Sequence, residues 1–291
     1  MSEYKAIILA AGRGSRLFPI TFAVNKQLLA IYDKPMIYYP LSVLMLSQIK
    51  DVLIITKKED IKPFKSLLGN GRKLGMKISY AIQEKPKGIA DAFIIGEKFI
   101  GKSNCALILG DNIFYGQNFS EKLLSAKSRQ NGATIFSYPV HDPQRYGVVE
   151  LDKKNNPIKI VEKPKVPKSN LAVTGLYFYD NQIVNIAKSL KPSKRGELEI
   201  TDVNKVYLKK KKLYMESFGR GFAWLDTGTP ESLLTANIFI ANIEQRQGLK
   251  IACLEEITYL NKWISKLKLK KLTNAMSSGP YKDYLINLIK K

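Results

Sequence analysis

The stretch KAIILAAGRGSRL, from Lys5 to Leu17, decides the fold. After Lys5 its next residues, AIILA (6–10), are a continuous apolar run, which is typical of a strand buried on both faces. Gly12 and Gly14 follow, and glycines after a parallel strand let backbone N–H groups approach a phosphate closely. Leu17 stands where a dinucleotide fingerprint has its third glycine, and no Gly-Lys-Ser/Thr follows, so neither that motif nor a P-loop is present. The loop alone leaves two alternatives, a phosphate cradle and an ordinary turn.

The following residues alternate between strand-like and helix-like runs. We predict strands at 5–10, 51–56, 77–82 and 105–109, and helices at 37–48, 61–68 and 88–99. Apolar strands separated by helices indicate an α/β fold with a parallel sheet covered on both faces. Further strands are predicted at 132–140, 146–151, 157–161, 172–179 and 213–218, and helices at 232–247 and 281–289. Ligands of such sheets bind beyond the carboxyl ends of the strands.

Composition narrows the class of protein. The chain has 291 residues, 45% of them hydrophobic, as in ordinary folded proteins. The longest apolar run, 36–46, is too short for a bilayer, which needs ~20 apolar residues, and the first residues lack the pattern of a signal peptide. Cys105 and Cys253 form no metal or redox spacing. We therefore expect a reduced, cytoplasmic protein without a membrane partner.

The net charge of +22 admits a second interpretation, nucleic-acid binding. Lysine is spread along the whole chain, and its one dense run, 209–212, lies between a helix-like and a strand-like stretch. Basic–aromatic interleaving, zinc-finger spacings and an RNP-like segment are absent from the sequence. We therefore interpret the charge as a solvated basic surface and expect no nucleic-acid partner, although charge alone leaves that alternative open.

Two cations and two carboxylates are candidates for phosphate chemistry. Arg16 in the glycine loop and Lys26 shortly after it suit a triphosphate whose diphosphate must leave with its charge neutralised. Asp111 follows the strand at 105–109, and Asp226 lies in WLDTGT. Each aspartate alone is more often a turn or capping residue. As a pair at loop positions, they offer the carboxylates that Mg²⁺ prefers.

Other candidates lie in the middle of the chain. Glu162 and Lys163 follow the strand at 157–161, where a carboxylate can accept sugar hydroxyls and a lysine can reach a phosphate. Tyr146-Gly147 and VTG (173–175) favour close approach of the backbone to a ring. We interpret RGELE (195–199) as the start of a helix whose acidic residues complement its dipole, slightly ahead of a phosphate role for Arg195. No Ser/His/Asp or Cys/His arrangement suggests covalent catalysis.

Longer segments resemble a known family. They are LAAGRGSRLFPIT (9–21), NKQLLAIYDKPMIYYPLSVLML (25–46), LGDNIFYG (109–116), RYGVVE (145–150), VTGLYFYD (173–180), RGELEITD (195–202) and GRGFAWLDTGT (219–229). In this order they resemble the sugar nucleotidylyltransferases, and MIYYPLSVLML and VTGLYFYDN are similar to the thymidylyl branch, the glucose-1-phosphate thymidylyltransferases. The resemblance extends over nearly the whole chain.

The resemblance implies a fold and a reaction. The fold would be a single Rossmann-like domain over 1–291, with a mixed, mainly parallel sheet covered by helices. Its parts would be a nucleotide-binding core (1–115), an inserted sugar-phosphate-binding β region (116–228) and a helical C-terminal part (229–291) at a subunit interface of a homotetramer. The reaction would transfer a thymidylyl group from dTTP to glucose 1-phosphate with Mg²⁺, giving dTDP-glucose and diphosphate. This is the first step of dTDP-deoxysugar biosynthesis, for example towards dTDP-rhamnose.

The resemblance also implies roles for single residues. Nucleotide binding would fall to Leu9, Gly12, Gly14, Ser15, Arg16, Lys26, Gln27, Gln83, Gly88 and Asp111. Sugar-phosphate binding would fall to Tyr146, Gly147, Glu162, Lys163, Val173 and Arg195. Asp111 and Asp226 would hold Mg²⁺, and the catalytic set would be Arg16, Lys26, Lys163, Asp111 and Asp226.

The chain departs from the family pattern at three positions. Ala11 replaces a loop glycine, Leu260 stands where members often carry arginine, and Gln117 stands where they carry histidine. The last two positions resemble parts of a second, regulatory nucleotide site, and losing an arginine there removes a bidentate phosphate partner. We therefore expect feedback inhibition by a downstream dTDP-sugar to be weak or absent.

Overall fold

The computed structural model describes residues 3–290. Its strands are β1 (Tyr4–Leu9), β2 (Ala30–Ile31), β3 (Lys34–Pro35), β4 (Asp51–Thr56), β5 (Lys77–Ile82), β6 (Asn104–Leu109), β7 (Asn112–Gly116), β8 (Ala133–Pro139), β9 (Gly147–Leu151), β10 (Pro157–Glu162), β11 (Leu171–Tyr179), β12 (Leu213–Ser217) and β13 (Phe222–Asp226). Its helices are α1 (Tyr38–Leu46), α2 (Ile61–Leu68), α3 (Asp91–Ile95), α4 (Glu97–Ile100), α5 (Phe119–Ser128), α6 (Ile183–Ser189), α7 (Ile200–Lys209), α8 (Pro230–Gln247), α9 (Leu254–Leu260), α10 (Lys266–Asn274) and α11 (Pro280–Lys290).

One nine-stranded sheet organises the chain. Its main path has the order β10-β9-β11-β6-β1-β4-β5, and β8 joins β11 to β12. The four strands β6, β1, β4 and β5 run parallel, whereas β11 runs antiparallel to β6. The sheet is therefore mixed, with one parallel half formed by β6, β1, β4 and β5. The predicted fold class is confirmed.

Helices cover both faces of the sheet because its strands are apolar on both sides. Ile7 and Ile8 of β1 are completely buried but belong to different hydrophobic clusters. Successive strand residues point to opposite faces, so each cluster lies on its own side of the sheet. Leu44 of α1 belongs to the Ile8 cluster, and Phe93 of α3 belongs to the Ile7 cluster. This double coverage explains why β1 is uniformly apolar from Ala6 to Leu9.

Several predicted elements agree with the structure and two do not. The strands β4 and β5 and the helix α2 have the predicted bounds. The single helix predicted at 88–99 is wrong, because α3 begins only at Asp91 and Gly96 separates it from α4. Gly88 has a left-handed backbone, with φ of 96°, which excludes it from a helix. The predicted helix start at 195–199 is also wrong, since α7 begins at Ile200 after an extended Glu199.

A two-stranded antiparallel ribbon, β7 with β13, was missed by the sequence patterns. Its register pairs Asn112 with Asp226 and Gly116 with Phe222. A Cβ on Gly116 would lie 2.1 Å from the Phe222 ring, so only glycine fits opposite that side chain. The ribbon places Asp226 at the end of a strand, and the prediction of a loop position for Asp226 is therefore wrong.

The C-terminal helices α9–α11 add a small core of their own, and a buried ion network joins α8 to the two-stranded ribbon β2–β3. Lys34 Nζ lies 2.7 Å from Glu244 Oε1 on α8, and both side chains are almost fully buried. Lys250 Nζ lies 2.8 Å from the other Glu244 oxygen, and Asp33 pairs with both lysines. None of the helices within residues 3–290 is long and apolar enough to cross a membrane.

We predict that Glu244→Ala lowers the free energy of unfolding by about 3 kcal/mol, because removing one partner of a buried pair leaves the other charge poorly compensated. Chemical denaturation measures the change. Glu97→Ala is the matched control, because Glu97 pairs with Lys188 where both side chains are about half exposed. It should cost roughly 0–1 kcal/mol. Equal costs for the two variants would contradict a structural role of the buried network.

Candidate active site

The site lies where the two central strands of the parallel half end. β1 and β6 pair in register, with Leu9 opposite Leu109, so the loops that follow these strands are neighbours. Gly110 N donates to Leu9 O at 2.9 Å, which holds the two loops together. The glycine loop and Asp111 therefore meet at one edge of the sheet, as predicted for ligands of such sheets.

A cavity of about 490 Å³ opens at this edge. We call it the main cavity. Of the predicted site residues, those that line it are Leu9, Gly12, Arg16, Gln83, Gly88, Asp111, Tyr146, Gly147, Glu162, Lys163, Val173, Arg195 and Asp226. These lining residues come from both the N-terminal core and the inserted β region. The residues that do not line it are Gly14, Ser15, Lys26 and Gln27.

Lys26 does not line the main cavity but contacts Asp111, which does. Its Nζ is 2.6 Å from Asp111 Oδ2, and its side chain is only 6% exposed. Lys26 begins a short 3-10 helix, Lys26–Leu28, whose preceding Asn25 accepts from Gln27 N. Asn25 Nδ2 in turn donates to Asp60 Oδ2 at 2.7 Å. The side chain of Asn25 therefore anchors the turn that carries Lys26, because it bonds both to Gln27 N and to Asp60.

The other three residues outside the lining support the glycine loop. Gly14 has φ of 62°, a left-handed conformation that favours glycine, and Ser15 begins the 3-10 turn that carries Arg16. Gln27 is buried, and its Oε1 has no hydrogen-bond partner among residues 3–290. A buried amide oxygen without a hydrogen-bond partner is costly, so a donor group that reached it would stabilise the loop.

Asp111 and Asp226 face the same cavity from neighbouring segments. Burial raises the pKa of Asp226 above its ordinary value, and the nearby carboxylate of Asp111 adds to the shift. The cations Lys26, Arg16 and Arg145 act in the opposite direction without cancelling it. The neighbouring cations therefore compensate the two carboxylates only in part. Such a pair is suited to bind a divalent cation.

The arginine of the glycine loop reaches this acidic pair. A Cβ on Gly228 would lie 2.7 Å from Arg16 Nη2 and 3.0 Å from Asp226 Oδ1. The guanidinium of Arg16 therefore lies against Gly228, two residues after Asp226 in WLDTGT. This contact brings together two motifs that are more than 200 positions apart in the sequence.

Arg145 is a cavity cation that the sequence patterns did not single out. Its Nη1 donates to Asp142 Oδ2 at 2.8 Å, and its Nη2 lies 3.8 Å from Asp226 Oδ2. The guanidinium also lies over the ring of Tyr146, 5.4 Å from the centroid. The only signal for Arg145 in the sequence was its position directly before Tyr146-Gly147.

The inserted β region supplies a polar and aromatic wall. The rings of Tyr146 and Trp224 are 5.2 Å apart and tilted against each other. Thr201 Oγ1 donates to Glu162 Oε2 beside Gly147, where a Cβ would lie 3.1 Å from that hydroxyl. Trp224 and Thr201 were also missed, because an aromatic in a strand and a threonine in a helix carry no chemical motif.

Arg195 is surrounded by carboxylates. Its Nη2 lies 2.9 Å from Glu199 Oε2, 3.3 Å from Glu197 Oε2 and 3.6 Å from Glu162 Oε1. The acidic residues of RGELE therefore bind the arginine rather than complement a helix dipole. An incoming phosphate would compete with these carboxylates for the guanidinium.

Lys163 is a lining cation that forms no ion pair with a carboxylate of residues 3–290. Its backbone has φ of 42°, which is rare for a residue other than glycine, and its N–H donates to Tyr146 O at 3.0 Å. Such backbone conformations cost roughly 1–3 kcal/mol and cluster at functional sites. The chain therefore pays conformational energy to present Lys163 at the cavity.

A backbone contact joins the two ends of the cavity. Leu198 N donates to Lys87 O at 2.7 Å, and Ala90 N donates to Leu198 O at 3.2 Å. Between them lies Gly88, where a Cβ would be only 2.5 Å from Leu198 O. The loop that carries Gln83 is thereby attached to the loop that carries Arg195.

A second cavity, of about 390 Å³, lies between α1, β7 and the segment after α8. Gly116 and Asn118 line it on either side of Gln117, and Ile257 lines it one turn before Leu260, which is 63% exposed. Two of the three departures from the family pattern, Gln117 and Leu260, are therefore near this cavity. The expectation about feedback inhibition stays a prediction.

Known proteins share this fold and these motifs. The model of the nucleotidyl transferase family matches residues 5–243. Glucose-1-phosphate thymidylyltransferase of Neisseria meningitidis is 56% identical over 287 residues, which are 99% of this chain and 100% of that protein. The enzyme of the same name from Mycobacterium tuberculosis is 49% identical, with 99% of each chain covered.

Solved structures agree. A Bacillus anthracis protein described as a glucose-1-phosphate thymidylyltransferase, solved with a sucrose, has a TM-score of 0.75 at 43% identity, covering 81% of this chain and 94% of that one. UDP-glucose pyrophosphorylase in complex with UDP-glucose has a TM-score of 0.71 at 27% identity, covering 84% of this chain and 100% of that one. The chain belongs to the nucleotidyl transferase family.

We predict that Gly88→Ala disrupts the contact between Lys87 and Leu198, because the added methyl group would meet Leu198 backbone atoms and the left-handed φ disfavours alanine. Amide exchange at Leu198 and Ala90 should accelerate, and stability should fall by roughly 1–3 kcal/mol. Gly219→Ala is the matched control, since nothing lies within 4 Å of a Cβ there. Protection of both amides at the wild-type level in Gly88→Ala would contradict the close backbone approach.

Proposed function

We propose that this chain transfers a thymidylyl group from dTTP to α-D-glucose 1-phosphate, releasing diphosphate and forming dTDP-glucose. The observation that carries the proposal is the main cavity, which brings the glycine loop, the pair Asp111/Asp226 and the Glu162–Arg195 wall to one space. The relatives named for this activity share about half of their residues with this chain over its full length.

The chemistry requires no covalent intermediate. A phosphate monoester has a second pKa of ≈ 6, so at neutral pH glucose 1-phosphate is already an anionic nucleophile. One of its phosphate oxygens attacks the α-phosphorus of dTTP in line, and the bond from that phosphorus to the β-phosphate oxygen breaks. Diphosphate carries away the electron pair. The absence of a general-base motif in the sequence agrees with this reaction.

The residues of the site divide the task of binding two polyanions. Arg16, held against Gly228, and Lys26, paired with Asp111, would neutralise the triphosphate and the departing diphosphate. Lys163 and Arg195 would bind the phosphate of the sugar. Arg145 also lines the cavity and adds a further cation near Asp226. Holding both anions in line is where most of the acceleration would arise.

The sugar and the base would be recognised at opposite ends of the cavity. Glu162, Gly147 and Val173 would contact the glucose ring beside the Tyr146–Trp224 wall. Gln83 Nε2 donates to Asp91 Oδ2 at 2.8 Å, so the amide oxygen of Gln83 is available to accept from the N–H of a thymine. Gly88 and Gln27 would complete the nucleotide end, together with Leu9 and the backbone of Gly12–Ser15.

Asp111 and Asp226 would hold Mg²⁺, since they are two carboxylates on neighbouring segments at one cavity. No group of three or more His, Cys, Asp or Glu side chains within residues 3–290 is arranged as a closed metal site. Two protein carboxylates leave the remaining positions to phosphate oxygens and water, as Mg²⁺ sites usually do. When bound, the cation would neutralise charge on the reacting phosphates.

The three parts of the chain would contribute differently. The nucleotide core and the inserted β region form the two ends of the cavity, and the C-terminal helices would form a subunit interface of a homotetramer. Leu234 and Ile238, four residues apart on one face of α8, are both more than half exposed, which favours such a contact. We place the product at the start of dTDP-deoxysugar synthesis, of which dTDP-rhamnose is one example.

A coupled assay for diphosphate release tests the proposal. With glucose 1-phosphate as acceptor, dTTP should be used efficiently, and release should require both substrates and Mg²⁺. UTP is the decisive competitor, because the structural similarity to UDP-glucose pyrophosphorylase favours it as a second candidate. A clear preference for UTP would indicate a UDP-glucose pyrophosphorylase activity instead. The absence of diphosphate release with either nucleotide would refute nucleotidyl transfer.

We predict that Arg16→Ala loses at least ~100-fold in turnover with the fold intact, because one electrostatic contact to the transition state is typically worth this much. The same assay measures kcat, and thermal unfolding checks the fold. Arg220→Ala is the control, since Arg220 is an exposed arginine that does not line the main cavity. Near-normal turnover of Arg16→Ala would remove Arg16 from the catalytic set.

A further inference from the structure

Asn112 occupies the junction of three strands beside the reacting centre. It follows Asp111 directly, begins β7 and pairs in register with Asp226 of β13. Its side chain is almost completely buried, yet the residue contributes to the lining of the main cavity. A buried amide must find partners for both its oxygen and its nitrogen, so the contacts of Asn112 show what it holds in place.

The amide oxygen of Asn112 joins the two other strands. Asn112 Oδ1 accepts from Trp224 Nε1 of β13 at 2.7 Å and from Gly175 N of β11 at 3.1 Å. A Cβ on Gly175 would lie 2.5 Å from that oxygen, so the glycine of VTG is required for this approach. This one acceptor therefore holds the N–H edge of the Trp224 indole.

The amide nitrogen of Asn112 acts on the neighbouring carboxylate. Asn112 Nδ2 donates to Asp111 Oδ1 at 3.1 Å, while Lys26 Nζ lies 2.6 Å from Asp111 Oδ2. Both oxygens of Asp111 thus have a fixed donor, and the carboxylate has one preferred orientation. Each carboxylate oxygen keeps a further lone pair for a ligand in the cavity.

We infer that Asn112 is a positioning residue, which orients the Asp111 carboxylate towards the divalent cation and the Trp224 indole towards the sugar. This inference rests on the proposed function for the identity of the two ligands. Asn112 itself does not touch the reacting atoms. It acts through Asp111 and Trp224, and a single side chain therefore sets the relative placement of the cation end and the sugar end of the cavity.

The test uses Asn112→Ser in the full-length chain, with Mn²⁺ alone as the probe for the cation end. Electron paramagnetic resonance measures the Mn²⁺ that remains free during a titration. Loss of a residue that orients a metal ligand typically weakens metal affinity or activity by roughly 10–100-fold, and we expect a loss of this size. In a Trp263→Phe background, where Trp224 is the only tryptophan, the emission maximum of Asn112→Ser should also move.

Two matched variants separate positioning from general destabilisation. Asn104→Ser removes another buried asparagine, whose Nδ2 donates to Gln130 O at the opposite end of β6, and it should leave Mn²⁺ affinity unchanged. Trp224→Phe removes the indole donor but retains the contact between Asn112 and Asp111. It should raise the KM for glucose 1-phosphate and leave Mn²⁺ affinity unchanged.

Asn112→Asp provides a second test of the inference if Asn112→Ser unfolds. Its carboxylate still accepts from Trp224 and Gly175, so emission of Trp224 should be retained, but it cannot donate to Asp111. Turnover should then fall by roughly tenfold or more. Normal turnover of Asn112→Asp would overturn the inference.

Equal Mn²⁺ binding by folded Asn112→Ser and the wild-type chain, including no binding by either, would equally overturn it. The Mn²⁺ and emission measurements use neither dTTP nor glucose 1-phosphate. A wild-type chain that fails to release diphosphate would therefore refute the proposed function without deciding the role of Asn112.

Discussion

The ion pair between Lys26 and Asp111 is the interaction on which the site depends. Lys26 is presented by a turn after the first strand, and Asp111 by the loop after the sixth, so the pair exists only because β1 and β6 run parallel and in register. Burial of the lysine makes this arrangement strict, since a buried ammonium without its partner is costly. The pair thereby links the position of the phosphate loop to that of the acidic pair.

The charge distribution around this pair suits the binding of two anions. On the glycine-loop side, Arg16 is exposed and lies against a glycine, whereas Lys26 is buried and paired with Asp111. On the sugar side, Arg195 is already bound by three carboxylates, and one of them, Glu162, is also a candidate for sugar hydroxyls. A sugar phosphate would therefore reorganise the network around Arg195, whereas a triphosphate would meet Arg16 and Lys26 largely in place.

Much of the parallel half could be predicted from the sequence, because its strands are apolar on both faces and give an unmistakable pattern. The ribbon β7–β13 could not, because its strands are short and β7 ends on a glycine, Gly116, where the partner ring of Phe222 fills the space. The helix at 88–99 was wrong for a related reason. Its apolar spacing continues through Gly88 and Gly96, but Gly88 is held in a left-handed conformation by the neighbouring Leu198, a contact 110 positions away.

The sequence by itself determined the α/β class, the phosphate loop and most of the residues that line the main cavity, because each of these depends on local patterns or on motifs several residues long. Only the tertiary structure decided which of these residues meet. It brought Arg16 to Gly228, placed Arg145 beside Asp226 and joined Asp111 to Trp224 through Asn112. Such contacts follow from strand register and from the space that single glycines leave, and neither quantity is written in the local sequence.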